Sequence, residues 1–313
     1  MNRTFEYLIT QEHAGMRLGD FLSAQGYSRH IRIHIKQHPG TLLKNNIPAL
    51  FYETVAVNDK ITVHLIDDEV SKNIPAVPIP VNIVYEDEDL LIVNKPADMP
   101  IHPSIGNYEN TLANGIAWYF ASQNKPYVYR CINRLDRNTT GLLILAKNML
   151  SGAILSQQMK DRQIHRTYLA LVEGQTEENG IIDAPIGRAG ESIITRQIDY
   201  ENGAPARTHY KLMEYRPAAP SLLSEYPGFP PEGVSLVKLR LETGRTHQIR
   251  VHMTSIGHPL CGDTLYNPST QLMERQALHS YSLEFIHPVT GKPMFFTAPL
   301  PDDMSIYLTQ HEF

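Results

Sequence analysis

The sequence predicts an α+β protein in which helices flank a large mixed sheet. Residues 142–146 are five apolar residues in a row, which is typical of a strand buried on both faces. Residues 83–94 contain two apolar segments on either side of an acidic turn and are predicted to form paired strands. Residues 111–122 and 151–160 repeat apolar side chains at helical spacing. This mixture of strands and intervening helices favours the α+β class.

A proline-rich segment is predicted to separate two domains. The 313 residues are enough for about two domains, and residues 73–82 contain three prolines that would stiffen a linker. Residues 1–72 are predicted to form a small unit whose second helix is capped by Ser28. Residues 83–313 form the larger predicted domain, with a proline-rich insertion at 216–233 that is expected to be a surface loop.

The composition predicts a cytoplasmic globular protein that does not enter a membrane. Hydrophobic residues make up 42% of the chain and charged residues 19%, which is ordinary for a folded soluble protein. No apolar run is long enough to span a bilayer, and the first ten residues lack the pattern of a signal peptide. The two cysteines, Cys131 and Cys261, are too few for a disulfide framework, which favours a reducing compartment.

The charge distribution limits how the protein could bind nucleic acid. A net charge of −5 and a pI near 6.3 exclude a uniformly basic coat protein. Positive charge is concentrated instead in residues 134–166 and in residues 28–44, which carry four lysines and arginines and no acid. Residues 28–44 fit an ordinary exposed helix face and an RNA contact equally well.

The stretch from Arg130 to Lys147 contains the strongest candidate for a catalytic group. Asp136 lies between Arg134 and Arg137, and these two arginines are predicted to hold it ionised. The apolar strand that follows would give the loop a rigid support. On this pattern alone, however, an aspartate between arginines is more often a structural ion pair.

No motif in the sequence requires a cofactor or a metal, and neither is predicted. A glycine-rich phosphate loop, a Gly-x-Ser-x-Gly elbow and zinc-spaced Cys or His clusters are all missing from the sequence. His30, His34 and His38 recur every fourth residue, but a basic helix face explains them as well as a metal site does. The acidic residues of 86–89 are expected to form a solvated turn.

Three blocks of the sequence resemble the RluA-type pseudouridine synthases. The central block contains Arg134-Leu135-Asp136, Thr139-Thr140-Gly141-Leu142-Leu143 and Ala146-Lys147. A second block includes His102, and a third runs from Leu241 to His252. The resemblance covers about residues 81–301 in the family's order, and residues 1–72 resemble a degenerate form of the S4-like RNA-binding domain that precedes the catalytic domain in many of these enzymes.

The resemblance implies a role for each of seven residues. Asp136 would be the catalytic residue, Arg134 would fill the stack vacated by the target base, and Tyr168 would stack on that base. Arg245 would pair with the catalytic carboxylate through its guanidinium. Supporting positions are Leu135, His102 and Asn133, which stands where the family usually has His.

The implied function is isomerisation of specific uridines in ribosomal or transfer RNA to pseudouridine, by a monomer without a cofactor. Asp136 would open the glycosidic bond either as a nucleophile or as a base, and the sequence does not choose between these routes. The resemblance also implies a mostly antiparallel sheet with the site in a cleft across it. Two alternatives remain: an inactive RNA-binding relative, suggested by Asn133, and a base-excising glycosidase, which would need a second carboxylate.

Overall fold

The computed structural model describes residues 1–190, 192, 194–268 and 272–309. Residues 1–67 contain two helices and a four-stranded antiparallel sheet of order β1-β4-β2-β3. The elements of this N-terminal unit are β1 (Arg3–Leu8), α1 (Leu18–Ala24), α2 (Arg29–Gln37), β2 (Leu42–Lys44), β3 (Ile47–Pro48) and β4 (Lys60–Leu65).

The turns of the N-terminal unit follow from their residue types. Ser28 caps α2 by accepting a hydrogen bond from the backbone N–H of Ile31 at 3.3 Å, as predicted. Asn45, Asn46 and Asn58 have φ angles of 53°, 66° and 67°. Asparagine tolerates this left-handed conformation better than most residues with a side chain, so these positions can form tight turns without glycine.

A nine-stranded sheet dominates the rest of the chain. Its order is β5-β6-β7-β14-β8-β13-β12-β9, with β15 paired to β14. Only β7 and β14 run parallel, so the predicted mixed, mostly antiparallel sheet is confirmed. The strands are β5 (Asn82–Glu86), β6 (Leu90–Lys95), β7 (Thr140–Ala146), β8 (His165–Glu173), β9 (Asn179–Asp183), β12 (Arg207–Arg216), β13 (Val234–Leu241), β14 (Leu278–Ile286) and β15 (Pro293–Thr297).

Helices and one small hairpin complete this part of the fold. The hairpin consists of β10 (Ile186–Arg188) and β11 (Arg196–Ile198). The helices are α3 (Leu112–Ala121), α4 (Met149–Lys160), α5 (Pro220–Glu225), α6 (Gln248–Ser255) and α7 (Asp302–Ser305). Within the described residues, no helix has both the length and the apolar character needed to cross a bilayer.

The strand β7 lies inside the large sheet between β6 and β14, and all seven of its residues are buried. Its second residue, Gly141, has a φ angle of +108°, and a Cβ placed there would lie 2.3 Å from the backbone oxygen of Ser280 in β14. Only glycine permits this approach. The parallel pairing of β14 with the start of β7 therefore begins directly after the loop that carries Asp136.

The N-terminal unit packs against α4 and the base of that loop. Met149, Leu150, Ala153 and Ile154 of α4 join its apolar core. Asp67 accepts hydrogen bonds from Arg130 Nη2 at 2.9 Å and from the backbone N–H of Met149 at 3.1 Å. These contacts attach Arg130, just before the loop that carries Asp136, to the N-terminal unit.

The acidic turn before β6 differs from its prediction. It was expected to be solvated, but the Asp89 side chain is buried and both of its oxygens accept hydrogen bonds from Arg3, at 3.0 and 2.9 Å. Asp87 accepts the backbone N–H groups of Asp89 and Leu90 at 2.7 and 2.8 Å. The turn therefore joins β1 to the large sheet, because a buried carboxylate needs a cationic partner.

Two proline-rich segments, the linker and the insertion, contact the large domain instead of extending into solvent. In the linker, the carbonyl of Pro75 accepts the side-chain amide of Asn114 in α3 at 2.8 Å. The insertion at 216–233 was expected to be a surface loop, but it contains α5, and Leu222 and Phe229 are buried beside Tyr307. Apolar side chains between the prolines explain the difference, since they can be buried only by folding back onto the protein.

Candidate active site

An open cleft of about 790 Å³ lies beside the loop that carries Asp136. Its walls come from residues 100–102, the loop 132–139, β8 and the segment 241–250 that leads into α6. The structure brings all seven residues singled out from the sequence into the lining of this cleft: His102, Asn133, Arg134, Leu135, Asp136, Tyr168 and Arg245.

Asp136 is partly open to the cleft, with 29% of its side chain exposed. Its Oδ2 accepts a hydrogen bond from Nη1 of Arg250 at 3.2 Å, and Nε2 of His247 lies 3.8 Å from the same oxygen. The carboxylate is therefore held on one side by a cation and remains accessible on the other. This arrangement suits a group that must contact a substrate.

Arg250 is buried and connects Asp136 to the protein interior. Its Nε and Nη2 donate to the two oxygens of Asp263 at 2.6 and 2.7 Å, and Asp263 is fully buried. The guanidinium also lies 5.0 Å from the centre of the Tyr266 ring. Burial opposes the charge, but the hydrogen bonds and charge of Asp263, together with Asp136, raise the pKa of Arg250 above its ordinary value.

The predicted partners of Asp136 are corrected by these contacts. Arg245 lines the cleft but is exposed, and its Nε donates to the carbonyl of Pro205 at 3.0 Å. Arg137, predicted to hold Asp136 ionised, pairs instead with Asp98 at 2.6 Å. Arg134 is exposed and forms no ion pair with Asp136 among the described residues.

The backbone at His247 decides which arginine reaches Asp136. His247 has a φ angle of +57°, a left-handed conformation, and α6 begins at the next residue. Arg245 is left in the preceding turn, whereas Arg250 lies within the first turns of a helix whose Ile249 and Met253 are in the core. Arg250 is therefore carried inward with the buried face of α6.

His247 is a second nitrogen donor beside Asp136. Its Nδ1 lies 2.9 Å from the hydroxyl of Tyr266, which also accepts the backbone N–H of Arg196 at 2.9 Å. The Tyr266 hydrogen can therefore be directed at Nδ1, so that Nε2–H faces Asp136. Burial lowers the pKa of His247 below its ordinary value, although the charge of Asp136 opposes this shift.

Asn133 and Leu135 support the loop from within. The side-chain oxygen of Asn133 accepts the backbone N–H of Ile144 at 2.9 Å, and its amide donates to the carbonyl of Leu142 at 3.3 Å. Asn133 thus ties the loop to β7, its rigid support. Leu135 is buried in the same core as Tyr168.

Tyr168 and His102 lie in different walls of the cleft. Tyr168 is in β8, almost fully buried, and lines the floor with Leu278. His102 is exposed and packs edge-on against Tyr129 with ring centres 5.0 Å apart. Partial desolvation, and then the charge of Arg134, lower the pKa of His102 below its ordinary value.

The other carboxylate that lines the cleft, among the described residues, is that of Glu242. It accepts His209 Nε2 at 2.7 Å and lies 3.3 Å from Arg162 and 3.7 Å from Arg207. The hydrogen bond from His209 lowers the pKa of Glu242 below its ordinary value, with the two arginines adding to the effect. A general acid in glycoside hydrolysis requires the opposite shift.

The side chains that could bind a metal form hydrogen bonds within the protein. Among the described residues, one group of three potential ligands lies close together: Asp87, Asp89 and His287. Asp87 accepts Nε2 of His287 at 2.9 Å, and Asp89 is taken by Arg3. In α2, His34 Nε2 contacts the carbonyl of Ile66 at 2.7 Å. Directly after α2, His38 Nδ1 contacts the carbonyl of His34 at 2.8 Å.

Sequence reasoning missed Arg250 and Asp263, although the sequence contained a signal for both. Arg250 lies between Ile249 and Val251, and an arginine inside an apolar helical face needs a carboxylate partner. Asp263 follows Gly262 in a segment with few other acids. The sequence therefore indicates that Arg250 needs an acidic partner, but it does not identify that partner as Asp263.

Lys95 is a buried amine beneath the loop that carries Asp136. Its side chain is 1% exposed, and Nζ donates to the carbonyls of Pro96 and Arg137 at 2.6 and 2.8 Å. Burial lowers the pKa of Lys95 to about 7, although the charge of Asp136 opposes the shift. The ordinary pKa of 10.5 applies to the unfolded chain, so the unfolded state binds more protons between these two values.

We therefore expect Lys95 to make the protein more stable as the pH rises from about 7 to about 9. The gain should be about 2 kcal/mol in the free energy of unfolding, since each unit of pKa difference corresponds to about 1.4 kcal/mol. Lys95→Met should lack this gain, and Lys60→Met, at an exposed lysine, should retain it. Urea unfolding at both pH values tests this, and parallel behaviour of wild type and Lys95→Met would contradict it.

Comparison with known proteins identifies the family. Residues 89–255 match the model of the family described as RNA pseudouridylate synthase. The uncharacterized RNA pseudouridine synthase YjbO of Bacillus subtilis is 38% identical over 93% of this chain and 97% of its own length. Ribosomal large subunit pseudouridine synthase D of Haemophilus influenzae is 34% identical over 94% of this chain and 91% of its own.

A solved structure agrees with this match. Human RNA Pseudouridylate Synthase Domain Containing 1 superposes with a TM-score of 0.59 and 28% identity, covering 74% of this chain and 89% of the human one. The chain therefore belongs to the RNA pseudouridylate synthase family and is an isomerase that converts uridine in RNA to pseudouridine.

Proposed function

We propose that Asp136 is the catalytic residue of this pseudouridine synthase. The observation that carries the proposal is the geometry of its carboxylate, which is open to the cleft on one side and bound by buried Arg250 on the other. The target uridine must leave the RNA stack to reach such a cleft. Arg134, exposed at the rim, is suited to fill the vacated stack.

The proposed reaction moves uracil between two of its own atoms. Asp136 begins cleavage of the bond between N1 and the ribose, either by attacking the sugar carbon or by removing a sugar proton. The uracil turns beside Tyr168 and rejoins the same sugar carbon through C5. On the first route C5 displaces Asp136 from that carbon, and on the second route Asp136 returns the proton to the sugar. The C5 proton then leaves for solvent, and N1 gains a proton. The isomerisation requires no oxidant, reductant or external group.

The arrangement of carboxylates disfavours a base-excising hydrolase. That chemistry needs a protonated acid opposite Asp136. Glu242 is held as a carboxylate by His209 and two arginines, as described above. An inactive relative is disfavoured by the contacts of Asn133, which hold the loop on β7 and leave Asp136 in the cleft.

We propose large-subunit ribosomal RNA as the substrate class, with transfer RNA as the alternative. Several relatives are named ribosomal large subunit pseudouridine synthase D, and one of these matches over nearly the whole chain. We also infer that the protein acts as a monomer in the cytoplasm. In support of the cytoplasm, both cysteines are free thiols, as a reducing compartment favours.

The test uses RNA in which C5 of each uridine carries tritium. This tritium is released to solvent when C5 bonds to the sugar. Wild type should release tritium from ribosomal RNA, whereas Asp136→Ala should release none. RNA affinity of the variant should stay within about tenfold, because phosphate contacts dominate binding. Tritium release by Asp136→Ala would contradict the catalytic role, free uracil would indicate a hydrolase, and RNA binding without any product from wild type would indicate an inactive relative. Release from transfer RNA alone would reassign the substrate.

We further propose that the N-terminal unit binds RNA through a groove beside α2. The groove, about 1070 Å³, is lined by four cations, Arg17, Arg29, Arg32 and Lys36, and by the exposed side chains Leu50 and Tyr52. Tyr52 is 70% exposed, which suits stacking of an unpaired base. The cations can contact the phosphates on either side.

Substitution of one groove lysine tests this proposal. Lys36→Ala should weaken RNA binding several-fold and lower the slope of log affinity against log salt by about 1, because one phosphate contact is lost. The rate at saturating RNA should not change. Lys60→Ala is the matched control, since Lys60 lies in the same unit outside the groove and pairs with Glu6 at 2.8 Å. Equal effects of both substitutions would reject the groove.

A further inference from the structure

The loop that carries Asp136 is held from behind by side chains at the start of β14. Gln276 Nε2 donates to the hydroxyl of Thr139 at 3.3 Å. The hydroxyl of Thr140 lies 2.8 Å from Nδ1 of His279. Both contacts are buried. They fix the last residue before β7 and the first residue of β7, three and four residues after Asp136.

A third contact reaches closer to Asp136. Arg275 Nη1 lies 3.4 Å from the carbonyl of Asn138, two residues after Asp136. The same nitrogen donates to the carbonyl of Gln276 at 3.0 Å and approaches that of Leu278 at 3.4 Å. Arg275 is buried, so the position of this one nitrogen is set by whatever holds the rest of its guanidinium.

Asp303 of α7 holds the other side of that guanidinium. Its two oxygens accept Nε and Nη2 of Arg275 at 2.6 and 2.7 Å, a bidentate pair with little rotational freedom. About half of the Asp303 side chain is exposed. The partly exposed carboxylate of Asp303 thus fixes the buried guanidinium of Arg275, which contacts the loop that carries Asp136.

We propose that Asp303 is a positioning residue for catalysis, acting through Arg275 on the loop that carries Asp136. The proposal rests on Asp136 being the catalytic residue. With Asp303 in place, the guanidinium plane is fixed and Nη1 stays at the Asn138 carbonyl. Without it, Arg275 keeps only its carbonyl contacts and the loop gains freedom. A displacement of about 1 Å in a catalytic group can lower a rate by up to about 10²-fold.

The neighbouring residue Asp302 provides a matched control. It is also acidic, exposed and in the first turn of α7, so Asp302→Asn removes the same charge from the same helix. Among the described residues, Asp302 takes part in no ion pair, whereas Asp303 pairs with Arg275. A difference between Asp303→Asn and Asp302→Asn therefore reports the contact with Arg275.

The experiment measures the single-turnover rate of pseudouridine formation with excess enzyme, together with RNA affinity. We expect Asp303→Asn to lower the rate constant about tenfold with RNA affinity unchanged within about twofold. Asp302→Asn should match wild type, and Asp303→Glu should recover part of the rate. All rates are measured well below the thermal midpoint of each variant.

Three outcomes would overturn the proposal. These are a wild-type rate in Asp303→Asn, an equal loss in Asp302→Asn, or a loss that disappears when the assay temperature is lowered further below the midpoint. The result for Asp136→Ala keeps the two proposals distinct. If Asp136→Ala makes no product while Asp303→Asn keeps the full rate, the positioning role alone is rejected.

Discussion

The site depends on the hydrogen bonds that the guanidinium of Arg250 donates to Asp263 and Asp136. Removing a cation from water costs several kcal/mol, and the cost is offset only when its hydrogen bonds are nearly all satisfied. Asp263, fully buried, satisfies two of them, and Asp136 takes a third. Arg250 therefore cannot move without leaving one buried charge unpaired. Its fixed position in turn fixes Asp136 at the edge of the cleft.

The large sheet supplies the rigid frame for this arrangement. The loop that carries Asp136 leaves the sheet near Arg130, where the N-terminal unit is attached through Asp67, and returns to it at β7. Gly141 lets β14 approach at that point, so that residues 275–279 can contact the loop from behind. Lys95 contributes a further buried donor, whose Nζ donates to the carbonyl of Arg137. The loop is thus held at both ends and from below.

Much of this could be predicted because its causes are local. The apolar run of β7, the Ser28 cap and the helical periodicity of α3 and α4 depend on nearby residues, and all appear in the structure. The gathering of separate motif blocks into one cleft was also anticipated, through resemblance to a family. None of these predictions depends on which distant side chains contact each other.

The errors share a different origin. Whether Arg245 or Arg250 faces Asp136 depends on a left-handed residue at His247 and on Asp263 elsewhere in the chain. The burial of Asp89 depends on Arg3, 86 residues away. Packing of the insertion at 216–233 depends on Tyr307. In each case the deciding contact is long-range, and neither periodicity nor residue type encodes it.

The most direct test compares the same substitution at the two arginines. Arg250→Lys keeps the charge but cannot reach both Asp136 and Asp263 with a planar fork. We expect Arg250→Lys to lower the single-turnover rate of pseudouridine formation by about 10–100-fold, whereas Arg245→Lys should leave that rate within about threefold. A large loss in Arg245→Lys with a normal rate in Arg250→Lys would contradict the account.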